Sequence, residues 1–345
     1  MTLTLDDVRA AHARIKDHIH RTPVMTSAAL DEKAGARLFF KCENLQKIGA
    51  FKARGATNAV ALLSDEEARR GVVTHSSGNH AAALARAAKL RNIPAYIVMP
   101  SNSPQAKQAS VRRYGAEVIM CEPTLESRES TAQSVVARTG AAFIHPYNDL
   151  RVMAGQGTTA LELLEEVPDL DDILCPVGGG GLLSGVAVTT KGINPEVRVF
   201  GVEPAGADDA ARSLAAGRII PSTNPATIAD GLRSSLGSIT FAEIQRHVEG
   251  IVTVSEEEIV RAMRTIWEVL KIIVEPSGAV AYGALVDGQF DLRGRRVGII
   301  LTGGNLDLDT LPWIKPAGGG RSRPGTLDMG LEILWPPARS KEMGD

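Results

Sequence analysis

Short apolar runs that alternate with helical stretches constrain the fold of this 345-residue chain more than any other feature. Strand-like runs fall at residues 38–42, 71–75, 95–99, 116–121, 141–145, 172–177, 198–203 and 296–302. Helical stretches, among them 79–90, 155–166 and 256–271, separate them. An apolar strand must be covered on both faces, and helices crossing between parallel strands supply that cover. The pattern therefore predicts an α/β chain with largely parallel, buried sheets, and eight or more strands point to two sheets. Ahead of the first strand, Val8, Ala11, Ile15 and Ile19 recur at helical spacing, predicting an amphipathic helix over 5–19 capped by Thr4 or Asp6.

Composition narrows the function classes. A formal net charge of -2 and an aromatic content of 4% disfavour nucleic acid as a partner. No uninterrupted apolar run is long enough to span a bilayer, and the first residues lack the basic-then-apolar pattern of a signal peptide. Cys42, Cys121 and Cys175 are odd in number and widely spaced, which predicts reduced thiols in a cytoplasmic protein. Pro316–Gly325 has linker composition, so 316–345 is expected to be a flexible tail, with Ile333 and Trp335 as its apolar handles.

Four segments carry chemistry. Lys52 sits among small residues in Gly49-Ala50-Phe51-Lys52-Ala53-Arg54-Gly55-Ala56, where little blocks a planar ligand from an amine that can condense with an aldehyde. In Ser76-Ser77-Gly78-Asn79-His80 a strand ends in a small-residue turn and a helix begins, offering unpaired N–H groups to an anion; taken alone, Ser76 or Ser77 reads as a helix cap. The tetraglycine Gly178-Gly179-Gly180-Gly181 also lies between strand and helix, where backbone N–H groups can wrap a phosphate. Neither the dinucleotide fingerprint nor the nucleoside-triphosphate loop fits it, because Leu183 or Ser184 and then Val186 occupy the deciding positions. In Thr302-Gly303-Gly304-Asn305 a buried strand delivers a hydroxyl to a glycine turn.

In this order, and with connecting stretches such as His145-Pro146-Tyr147-Asn148-Asp149 and Ala154-Gly155-Gln156-Gly157-Thr158, the segments resemble the serine racemase and serine/threonine dehydratase (ammonia-lyase) family of fold-type-II pyridoxal phosphate enzymes. The resemblance runs from about residue 5 to residue 315. It implies a tryptophan synthase β-like fold of two three-layer αβα domains. Residues 1–70 with 148–315 would form the large cofactor domain, and 71–147 the small one. It also implies that Lys52 carries pyridoxal phosphate and acts as a base on one face of the substrate. Phe51 would lie beside the cofactor, Asn79 would meet its ring hydroxyl, Gly178–Gly181 its phosphate and Thr302 its ring nitrogen. Ser76, Ser77, Asn79 and His80 resemble the loop that binds the substrate carboxylate.

Racemisation needs a proton donor or acceptor on each face of the α-carbon, and Ser77 matches the serine that serves the second face in serine racemases. Glu203 and Asp209, with the carbonyl of Ala207, match carboxylates that bind magnesium, calcium or manganese; without the resemblance this is a solvated acidic loop. Two positions depart from the family pattern, Ala50 and Thr302, each where a serine is more usual. The resemblance implies an amino-acid substrate and a homodimer, and it leaves room for a nucleotide (ATP) activator. Alternatives are a dedicated L-threonine/L-serine ammonia-lyase and a 3-hydroxyaspartate ammonia-lyase, for which Arg128 is the candidate substrate-binding cation. A cofactor-storing or nucleotide-sensing protein without turnover is the reading from another class.

Overall fold

The computed structural model describes residues 2–103, 105–286, 290 and 292–314. The expected tail at 316–345 lies outside them. Ten strands form among the described residues: β1 Val24–Met25, β2 Arg37–Cys42, β3 Val72–His75, β4 Ala95–Pro100, β5 Glu117–Cys121, β6 Ala142–Phe143, β7 Asp172–Pro176, β8 Arg198–Pro204, β9 Gly250–Val254 and β10 Arg296–Leu301. They make two sheets, a six-stranded one in the order β1-β2-β10-β7-β8-β9 and a four-stranded one in the order β5-β4-β3-β6. Only the β1–β2 pairing is antiparallel. All eight predicted strands are present. The two that the apolar pattern did not reveal are β1, two residues long, and β9, and both lie at edges of the larger sheet. Residues up to Asp307 form one unit; of the second, which begins at Leu308, residues 308–314 are described.

The first helix begins where predicted. Thr4 accepts from the Asp7 N–H and Asp7 reaches back to the Thr4 N–H, a reciprocal cap. It ends at Ile15, not at residue 19, where the chain turns through a His18 N–H to Ile15 carbonyl bond. Ile19 is buried all the same, so the apolar period marked a buried face and not the length of the helix. The helix expected from residue 155 starts earlier: Asp149 caps a helix running from Leu150 to Glu166.

The helix Lys52–Ala61 packs against both the helix Asn79–Arg91 of the smaller sheet's layer and the helix Leu150–Glu166. Close approach to the latter depends on glycines: a Cβ on Gly155 would stand 2.6 Å from the Gly55 Cα. Beneath this junction lies a buried ionic cluster. Arg54 donates through Nε and both terminal nitrogens to both oxygens of Glu43, both oxygens of Glu162 and the Thr158 hydroxyl, at 2.7–3.1 Å. Lys41 bonds Glu162 and the Thr22 carbonyl, each at 2.7 Å, and the Thr22 hydroxyl bonds Glu43. Two cations and two carboxylates balance, and all five guanidinium donors are used. Removing one member of such a cluster leaves a buried charge without its partner. Arg54→Leu is expected to lower stability by about 3–5 kcal/mol in urea unfolding; a loss under about 1 kcal/mol would mean that the cluster is not what holds this junction.

Candidate active site

Because nearly all strands run parallel, their C-terminal ends share one edge of each sheet, where α/β folds place ligands. Lys52 follows the turns after β2, Thr302 follows β10, the tetraglycine follows β7 and the Ser76–His80 turn follows β3. The first and last of the large-sheet segments are tied directly: Phe51 N–H donates to the Thr302 carbonyl at 3.0 Å, Gly304 N–H to the Gly49 carbonyl at 2.9 Å, and Ala50 bridges Gly303. Ala50 is fully buried there, in a place with no room for solvent.

Lys52 is only partly buried as a residue, yet its amine is packed round by protein. Nζ donates to the Pro146 carbonyl at 2.8 Å and lies 5.0 Å from the Phe51 ring centre. Burial, with no carboxylate to offset it, lowers its pKa from 10.5 to about 8. Pro146 thereby links Lys52 to its neighbour Tyr147, whose ring packs so closely on Gly179 that a Cβ there would overlap it. Gly180 adopts φ +87°, open to glycine at no steric cost, and the helix Gly181–Ile193 starts from it. Thr240 holds the turn from the far side by donating to the Gly179 carbonyl at 2.9 Å.

A closed polar triangle joins the smaller sheet to this site. Asn79 Nδ2 donates to Glu275 Oε1 at 2.9 Å, Asn305 Nδ2 donates to Asn79 Oδ1 at 2.9 Å, and Asn305 N–H donates to Glu275 Oε2 at 3.2 Å. Asn305 also donates to the Ile48 carbonyl at 2.7 Å, and Ile48 has φ 60°, an unfavourable conformation for a β-branched residue. Burial pushes the Glu275 pKa up to about 8. One Nδ2 hydrogen of Asn79 remains for a further acceptor.

The Ser76–His80 segment is not capped by either serine. Gly78 is the N-cap of the helix Asn79–Arg91, and the Ser76 hydroxyl accepts from the Gly78 N–H within the turn. Ser77 is part-exposed and Ser76 likewise. The His80 ring turns inward, its Nε2 3.4 Å from the Ile144 carbonyl, and burial holds its pKa well below the usual value. What His80 can offer an anion is its backbone N–H. The Thr302 hydroxyl is buried and makes a long 3.4 Å bond to the Ser277 carbonyl.

Residues 15–303 match the family model of pyridoxal-phosphate dependent enzymes. The chain belongs to that family. It is 54% identical to a beta-hydroxyaspartate dehydratase of Paracoccus denitrificans over 90% of its own length and 98% of the relative's. The crystal structure of a serine racemase from Dictyostelium discoideum superposes with a TM-score of 0.86 at 49% identity, covering 89% of this chain and all of that one. The crystal structure of a bacterial-type threonine deaminase superposes with a TM-score of 0.84 at 44% identity, covering 88% and 99%.

The residues of this family member fit the cofactor that gives the family its name. The N–H groups of Gly178, Gly179 and Gly180 donate to no acceptor among the described residues, and they stand at a helix start where no side chain can intrude. An amine of lowered pKa lies beside them through the Pro146–Tyr147 link. Glu275, Pro146 and Tyr147 were not singled out from sequence. A lone glutamate before proline and a proline carbonyl carry no sequence signal of their own.

Two further candidates stand apart from the amine. Arg128 lies on the helix Leu125–Thr139; its Nε bonds the Thr124 carbonyl at 3.3 Å, and it pairs with no carboxylate among the described residues. Its charge reaches His75 and Tyr147, so it sits on the Tyr147 side of the site. At the end of β8, Glu203 accepts from the Ala210 and Ala211 N–H groups at 3.0 and 2.9 Å. Asp209 is fully buried with neither carboxylate oxygen bonded, and Ala207 is buried beside it in sequence. Burial raises the Glu203 pKa to about 8 and that of Asp209 to about 6. Among the described residues no three His, Cys, Asp or Glu side chains form a metal-holding group, so the acidic pair would need the Ala207 carbonyl and water to complete a coordination sphere.

Since burial penalises the charged form, the Lys52 amine should give up its proton at lower pH than an exposed lysine. Competitive acetylation of the cofactor-free chain across pH, read by peptide mass spectrometry, is expected to titrate Lys52 near 8. A midpoint at 10.5 would show an amine in free contact with water.

Proposed function

We propose that the chain interconverts L- and D-serine and dehydrates L-serine and L-threonine to pyruvate or 2-oxobutyrate and ammonia. The observation that carries this reading is a lysine amine of lowered pKa with Ser77 in the loop that Asn79 ties to the same site. Similarity to a serine racemase and to a threonine deaminase supports it. Bound pyridoxal phosphate supplies an electron sink for the charge left on the α-carbon. Lys52 Nζ takes the α-proton on one face, its pKa near 8 suiting it to work close to neutrality. The backbone N–H groups of the 76–80 turn hold the substrate carboxylate. Asn79 offers its remaining amide hydrogen to the ring hydroxyl, Phe51 flanks the ring, and Thr302 offers the ring nitrogen a neutral partner. Ser77 Oγ returns a proton to the opposite face, which inverts serine; loss of the β-hydroxyl instead gives the keto acid. On this reading 1–70 with 148–315 is the cofactor domain and 71–147 the domain that carries Ser77.

A second reading, dehydration of 3-hydroxyaspartate, is favoured by the 54% identity to the Paracoccus denitrificans relative. The extra carboxylate needs a cation, and Arg128 has none of its charge committed to a described carboxylate. Comparing kcat/KM for 3-hydroxyaspartate and serine, with wild type and Arg128→Ala, separates the two substrates.

The same proposal includes a divalent ion, magnesium or alternatively calcium or manganese, held by Glu203, Asp209 and the Ala207 carbonyl. Two buried, unbonded oxygens on Asp209 are its support. Homodimer assembly, activation by a nucleotide such as ATP and a cytoplasmic location complete the reading; three free, buried cysteines accord with the last.

Lys52→Ala is expected to abolish both D-serine and pyruvate formation from L-serine, and Ser77→Ala to abolish D-serine while sparing pyruvate. An unchanged D-serine yield from Ser77→Ala removes Ser77 from the second face. Magnesium is expected to raise the melting temperature of the wild type and not of Asp209→Asn; equal shifts in both place the ion elsewhere.

A further inference from the structure

The stretch His145–Asp149 connects β6 to the helix Leu150–Glu166, and three of its residues touch the site separately. The Pro146 carbonyl receives the Lys52 amine at 2.8 Å. The Tyr147 ring and backbone close the inner side of Gly179 and Gly181. The side-chain carbonyl oxygen of Asn148 accepts from the Ile239 N–H at 2.9 Å, next to the Thr240 that holds the Gly179 carbonyl. A single acceptor organises all three. His145 Nδ1 receives the Asn148 N–H at 2.9 Å and the Tyr147 N–H at 3.3 Å. An imidazole nitrogen that accepts cannot carry a proton, so the hydrogen-bond network assigns the proton to Nε2. Three rings clamp the imidazole edge-on: Tyr147 at 4.5 Å, Phe143 at 6.0 Å and His75 at 6.2 Å between centres.

We propose that His145 is a positioning residue for this site: by gathering the Tyr147 and Asn148 N–H groups on Nδ1 it shapes the turn that sets the Pro146 carbonyl on the Lys52 amine and the Tyr147 ring against the glycine turn. The role is one that asparagine and aspartate fill elsewhere when a side-chain oxygen accepts from N–H groups two and three residues on. Protonation would remove the acceptor. Burial, with the nearby His75 and Lys52, prevents it by lowering the His145 pKa to about 4. His145 itself does not touch Lys52; it acts through Pro146 and Tyr147.

This inference rests on Lys52 and the glycine turn being the cofactor site, so its test has one arm that does not. In the cofactor-free chain, hydrogen exchange at the Tyr147 and Asn148 amides is expected to quicken about tenfold in His145→Ala, as for amides that lose their acceptor. In the second arm, pyridoxal phosphate titrated against the same variant is expected to bind about tenfold more weakly, the equivalent of one lost hydrogen bond. His145→Asn, whose side-chain oxygen can accept the same two N–H groups, is expected to restore both readouts to within about threefold of wild type. Unchanged exchange in the alanine variant overturns the proposal. So does an asparagine variant that binds cofactor as poorly as the alanine one, and that comparison stays decisive if the alanine variant fails to fold. Failure of the wild type to bind pyridoxal phosphate would instead overturn the site assignment while leaving the exchange result to stand by itself.

Discussion

The buried guanidinium of Arg54 is the interaction on which the rest of the structure depends. It joins the turn after β2, the helix Lys52–Ala61 and the helix Leu150–Glu166, three segments that come from distant parts of the chain. A charge in a core is tolerable only when its donors are used, and here every one is. Arg54 stands two positions after Lys52 on the same helix, about 200° round its axis. Anchoring one side chain downward therefore turns the other upward, toward the edge where the strands end.

Those two cations also show how much local surroundings decide. Burial acts against the charge of both. At Arg54 the carboxylates of Glu43 and Glu162 more than offset it, and the pKa is raised. At Lys52 only a proline carbonyl is near, and the pKa falls to about 8. One helix thus carries a permanent charge that holds the fold and a labile one suited to proton transfer.

Much of the fold could be read from the chain because apolar runs report burial directly. Strands buried on both faces left eight clear runs, while the two-residue β1 and the edge strand β9 did not. The glycine turn, the lysine and the serine–asparagine turn were legible for a related reason: strand ends followed by small residues are where backbone donors lie open. Glu275 and His145 were not. Each acts through a partner far along the chain or through its backbone neighbours, Glu275 to Asn79 across 196 positions and His145 to two N–H groups whose direction only the turn sets. Asn305 lay inside a recognised motif, but its part in the triangle depended on the same long-range meeting.

The sequence by itself determined the class of fold, the family and the positions of the strand ends that carry chemistry, because these follow from the order and apolarity of residues along the chain. It also named the amine. The tertiary structure alone decided what that amine is chemically. Desolvation, the missing carboxylate beside Lys52, the inward turn of the His80 ring and the unbonded oxygens of Asp209 are all properties of what surrounds a group in space. No spacing along a chain records how much water a folded neighbourhood excludes.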